Sequence, residues 1–130
     1  MNRVRLTGKI RNIESKFLYD RLLVVVRFTM EVEGDCFECL AIGKLAEKMI
    51  REDEQMKEDI ISLYGQLKNY RYKDVNHTIH KNKYIVVYNL HKGDKVDEIS
   101  GEEERKINKR VQEYLEAGQA PFSMIADAYT

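Results

Sequence analysis

Apolar and polar residues alternate through much of the first 92 positions, and that alternation predicts strands. In Arg3–Ile10, Val4, Leu6, Gly8 and Ile10 fall on one side, and Arg3, Arg5, Thr7 and Lys9 on the other. Residues Asn12–Asp20 lose the rhythm and read as a loop or hairpin tip. Arg21–Val32 resumes it, with Val26, Phe28, Met30 and Val32 opposed to Arg27, Thr29 and Glu31, and Phe28 is expected in the core. The turn Glu33-Gly34-Asp35 leads into a third strand, Cys36–Ile42. After Gly43 the period changes: Leu45, Ala46, Met49 and Ile50 stand at helical intervals, predicting a short helix over Lys44–Arg51. The acidic run Glu52, Asp53, Glu54, Glu58 and Asp59 reads as a solvated connection. Ile60–Tyr72 is a long fourth strand. It sets Ile61, Leu63, Gly65 and Leu67 against Tyr64, Gln66, Lys68, Tyr70 and Tyr72. A glycine at mid-strand marks a bend or a close backbone approach. Lys73–Asn82 is expected as a hairpin loop and Lys83–Leu90 as the fifth strand.

Beyond the strands, Ser100-Gly101-Glu102-Glu103 has capping-box spacing. The helix it opens carries Ile107, Val111, Tyr114 and Leu115 as its apolar stripe; Gly118 stops it, and Pro121 follows. The tail holds Phe122, Met124, Ile125 and Tyr129, enough apolar surface to dock on the body of the protein. The fold class expected is an all-β core: five strands with a helix between the third and fourth, the topology of an OB barrel, plus a C-terminal helix. With 130 residues in all, positions 1–92 form the barrel domain and 93–130 the C-terminal helix and tail.

The net charge is zero, but its distribution is uneven. Residues 1–92 hold 17 Lys and Arg against 13 Asp and Glu, while 93–130 hold 5 against 9. Between positions 66 and 92 six cations (Lys68, Arg71, Lys73, Lys81, Lys83 and Lys92) face Asp74 alone. Such asymmetry suggests a polyanion-facing region beside an acidic appendage. No apolar run approaches the roughly 20 residues of a membrane span. The opening residues Met1-Asn2-Arg3-Val4-Arg5 lack the apolar core of a signal peptide, so no membrane and a cytoplasmic location are expected. The two cysteines are then expected to stay reduced.

Candidate binding residues follow from the same pattern. Tyr70 and Tyr72 share the side of the fourth strand away from its apolar residues, where rings are open to stack on bases at roughly 1–3 kcal/mol each. Phe37 either stacks or joins the core. Arg3, Arg5, Lys9 and Arg11 form a basic edge on the first strand; Lys68, Arg71, Lys73, Lys81 and Lys83 border the fourth–fifth hairpin, and both sets suit phosphates. Cys36-x-x-Cys39 and His77-x-x-His80 invite a zinc reading, but residues three apart on a strand point to opposite faces, so no metal or other cofactor is expected. Neither a nucleophile elbow nor a phosphate-cradling glycine loop is present, and no enzymatic activity is expected.

Four segments in order resemble the bacterial and phage single-stranded DNA-binding protein family. They are Asn2-Arg3-Val4-Arg5-Leu6-Thr7-Gly8, Phe28-Thr29-Met30-Glu31-Val32, Gly43-Lys44-Leu45-Ala46-Glu47 and Leu63-Tyr64-Gly65-Gln66-Leu67. Arg71, Tyr72 and Asp74 fill the places of that family's bases, aromatic and acid at the end of the fourth strand. The chain departs from the pattern at Cys36 and Ile42, where the family carries aromatics, and at Ala128-Tyr129-Thr130, where it carries an acidic tip ending in Pro-Phe. The resemblance implies single-stranded DNA binding with little sequence preference, in replication, recombination or repair. It also implies a homo-oligomer, tetramer or dimer. The ancillary primosome proteins share the barrel, so an accessory factor with a replication-protein partner stands as an alternative. An OB barrel serving as a protein-interaction module with weak or no DNA binding is another.

Overall fold

The computed structural model describes residues 2–122. Its strands are β1 (Arg3–Leu18), β2 (Leu23–Val32), β3 (Asp35–Ile42), β4 (Ile61–Lys73) and β5 (Ile79–Lys92). They close into a barrel in the order β1-β2-β3-β5-β4. All neighbours are antiparallel except β3 and β5, which run parallel through Cys39 opposite Ile85 and Leu40 opposite Val86.

β1 serves two seams. Arg3–Gly8 pair with β4 and Lys9–Leu18 pair with β2. The register shifts between Arg11 and Glu14, where Asn12 takes φ +54°, a left-handed conformation that asparagine tolerates better than most residues. The strand therefore runs through the segment expected as a loop. The bulge reverses the parity of the alternation: Ile10 faces in before it, Ile13 after it.

A second close fit sits in β4. A Cβ on Gly65 would lie 2.2 Å from the carbonyl oxygen of Val86, so only glycine lets β4 approach β5 there. The β4–β5 register slips between Tyr64 and Gly65 at the same point.

The inward residues form one apolar cluster, with Phe28, Met30, Leu63, Ile85 and Leu90 at its centre. Helix α1 (Lys44–Arg51) contributes Ala46 and Met49 to it. A single helical turn, α2 (Asp53–Met56), adds Met56; charge alone had suggested only a solvated connection here. Burial of each large side chain stabilises by roughly 1.5–3 kcal/mol.

A second cluster lies outside the barrel wall. Helix α3 (Gly101–Glu116) begins at Ser100, whose Oγ accepts a hydrogen bond from the Glu103 backbone N–H at 3.1 Å. It lays Val111 and Tyr114 against Leu23, Val25, Leu40, Tyr64, Tyr84, Val86 and Tyr88. Among the described residues, no helix is long and apolar enough to cross a membrane.

Candidate nucleic-acid interface

β4 and β5 continue past the barrel as a two-stranded arm. Lys73 and residues 79–82, expected in a loop, extend the two strands: Asn69 pairs with Lys83, Tyr70 with Asn82, Arg71 with Lys81, Tyr72 with His80 and Lys73 with Ile79. The turn closes through Asp74, whose Oδ1 accepts the backbone N–H groups of Asn76 at 2.8 Å and Thr78 at 3.0 Å. Its Oδ2 lies 2.8 Å from Nε2 of His80. The His80 hydrogen bond, then the Thr78 N–H, holds the Asp74 carboxyl below the usual carboxylate range.

Directly opposed residues in antiparallel strands share a face. The arm therefore has two unlike faces. One carries Arg71, Lys73, Lys81 and Lys83, all exposed, and none has an ion-pair partner among the described residues. The other carries Lys68, Tyr70, Tyr72, His80 and Tyr84. There the rings of Tyr70 and Tyr72 stack at 6.0 Å, and Tyr72 stacks on His80 at 4.9 Å.

This aromatic face is largely covered by the chain's own C-terminal part. Tyr64, Tyr84 and Tyr88 are buried beneath α3, and burial raises each phenol above its ordinary value, Tyr84 to about 12. Tyr70 is half-buried, with the edge of Phe122 meeting its ring at 5.7 Å and 90°. Lys68 is partly buried; desolvation, then repulsion from Arg3, lowers its pKa.

The basic edge of β1 divides. Arg3 bonds Glu104 at 2.5 Å and lies 5.6 Å over the Tyr88 ring, and its bond to Glu104 raises its pKa. Arg5 donates to the Val96 carbonyl and, at 3.2 Å, to Glu98, and lies over Tyr64. Arg3 is thus engaged by α3 itself and Arg5 by the segment leading into it. Arg11 pairs with Glu31 at 3.3 Å, and Lys9 stands exposed opposite the same glutamate. Both lie on the part of β1 that pairs with β2, past the Arg3–Gly8 seam with β4.

Phe37 faces inward and packs on the barrel core from its rim. Counting back two residues from the Cys39–Ile85 pair brings Phe37 level with Lys83, beside the cationic face. Cys36 is exposed and Cys39 buried, where desolvation raises its thiol pKa. Among the described residues, no three His, Cys, Asp or Glu side chains converge as a metal site would require.

One solved structure that the chain resembles is the crystal structure of the SSB domain of a protein from Synechococcus sp. The TM-score is 0.53 at 17% identity, covering 70% of this chain and 94% of that one. The fold is that of an OB barrel with an added C-terminal helix. No protein-family model matches the chain, and no curated protein matches it.

In OB barrels oligonucleotides lie on the strand 2–3 face, between the first and the fourth–fifth hairpins. Here residues 117–122 cross that face. Lys16 of the first hairpin bonds Gln119 at 2.6 Å, and Phe122 reaches Tyr70 of the other. Between them Arg27 of β2 donates to the Ala120 and Phe122 carbonyls, 3.3 Å each, and pairs with Glu14. Arg27 was not singled out from the sequence; the available signal was one arginine inside the apolar run Val24–Phe28.

Proposed function

We propose that this chain binds single-stranded nucleic acid, DNA in the first instance, with little sequence preference and without catalysis. The observation that carries the reading is the cationic face of the β4–β5 arm, where Arg71, Lys73, Lys81 and Lys83 stand exposed and unpaired among the described residues. Cations so placed on one flat arm repel each other, and a polyanion relieves that repulsion. The OB fold and its likeness to an SSB domain support the same reading. Phosphates would follow the arm's cations, and Phe37 at the rim supplies an apolar contact for a base. Assembly into a dimer or tetramer would multiply these contacts along one strand.

Titration with oligo-dT tests the proposal. We expect binding that weakens steeply with salt, as counterion release requires, and a preference over duplex of the same sequence. Absence of binding at low salt would overturn it. The second reading, a protein-interaction module, draws on the first hairpin tip. There Phe17, Tyr19 and Leu22 are 40%, 81% and 77% exposed, three apolar side chains at one hairpin tip.

A further inference from the structure

The strand 2–3 face is occupied by the chain itself, and the manner of its occupation is informative. Residues 117–122 lie beyond α3 and outside every strand. Their anchors are side chains: the Tyr114 hydroxyl donates to the Ala120 carbonyl at 2.9 Å, Arg27 holds two carbonyls, and Lys16 holds Gln119. Phe122, 3% exposed, adds one buried ring to these anchors. A segment without ladder hydrogen bonds opens at lower free energy than the strands it crosses.

What lies beneath is a charged group: Arg27, whose other terminal nitrogen pairs with the 45%-exposed Glu14, a carboxylate that a phosphate would have to displace or sit beside. The Arg27 side chain is only 12% exposed, and its Nε is buried with no partner. Its contacts to the segment are to neutral carbonyls at 3.3 Å, long for a guanidinium. Phosphate oxygens accept from arginine through shorter and stronger charge-assisted bonds. Beside Phe122, the ring of Tyr70 lies 6.0 Å from that of Tyr72 at 26° between planes, two aromatic faces turned roughly alike, as a stacking platform for bases requires.

We infer that residues 117–122 are a displaceable strap over a second binding surface, in which Arg27 takes a phosphate and Tyr70 takes a base. The inference rests on the proposed single-strand binding and extends it to a site distinct from the cationic face of the arm. α3 stays docked through Val111 and Tyr114; only the strap lifts, withdrawing Phe122 from the edge of the same cluster. An incoming strand replaces the two carbonyls on Arg27 and the Phe122 edge on Tyr70. The strap then reduces the apparent affinity by the fraction of molecules in which it is closed.

The test uses full-length Phe122→Ala and Tyr114→Phe, the second deleting one anchor while keeping the buried ring. Affinity for oligo-dT should rise about tenfold in the first and about threefold in the second, following the open fraction. In the wild type, bound oligo-dT should abolish the ring-to-ring NOEs between Phe122 and Tyr70. Unchanged or weaker affinity in a folded Tyr114→Phe, or Phe122–Tyr70 NOEs that persist in the complex, overturns the strap while leaving binding by the arm intact. If neither wild type nor variants bind oligo-dT, the proposed function falls and the strap with it.

Discussion

The two faces of the β4–β5 arm are built from alternate residues of the same strands, yet they are satisfied in opposite ways. On one, Tyr70 and Tyr84 find partners within the chain, in Phe122 and the cluster beneath α3. On the other, Arg71, Lys73, Lys81 and Lys83 find none among the described residues. A covered aromatic face contributes to folding whether or not a ligand arrives. An open cationic face contributes little to folding and is retained against its own repulsion. Under the proposed function, stability and phosphate binding fall on opposite sides of one hairpin, with the strap as the place where they meet.

That division is breakable by substitution. Tyr114→Ala on the covered side should cost about 4 kcal/mol of stability, a figure typical of truncating a buried aromatic, read by urea unfolding. A loss under about 1 kcal/mol would mean that the helix is not integral to the fold. Next in size, Arg71→Glu combined with Lys81→Glu should lower oligo-dT affinity about 100-fold at low salt, through lost phosphate contacts and added repulsion. The same pair should leave unfolding within about 0.5 kcal/mol of wild type. A comparable loss of stability would erase the contrast between the faces. The smallest effect concerns the arm's turn. The Asp74 carboxyl is depressed below its ordinary value of 3.8, so its contribution is full above that value and is lost as pH falls through the depressed one. Acidification into that window should release the Thr78 and Asn76 amides, seen by NMR, while barrel amides stay protected.

Much of the barrel was legible because one buried face imposes a period of two. Phe28 in the core, Gly65 at a close approach and the Ser100 cap all follow from local pattern. The sequence reading lost β1 at Asn12, where one bulged residue switches which parity faces inward. The arm was not legible because the covered side of residues 79–82 carries His80 and Asn82 while Ile79 stands on the open side, so no apolar alternation marks the strand. The tyrosines were correctly grouped on one side of β4, but not their cover. The contacts from Phe122 to Tyr70 and from Tyr64 to Glu104 join residues far apart in the chain, which no local window contains. Of the tail expected to dock, Phe122 does so, and Met124, Ile125 and Tyr129 lie outside the described residues.

The corner at Asn12 carries a lesson about tolerance. Because one unbroken strand stitches both seams, no spare loop separates the residues facing β4 from those facing β2. Inserting a single amino acid between Gly8 and Arg11 would turn every later side chain of β1 to the wrong side of the wall. Length variation in this protein must therefore be sought in its turns, and the first strand read as a ruler that cannot be stretched.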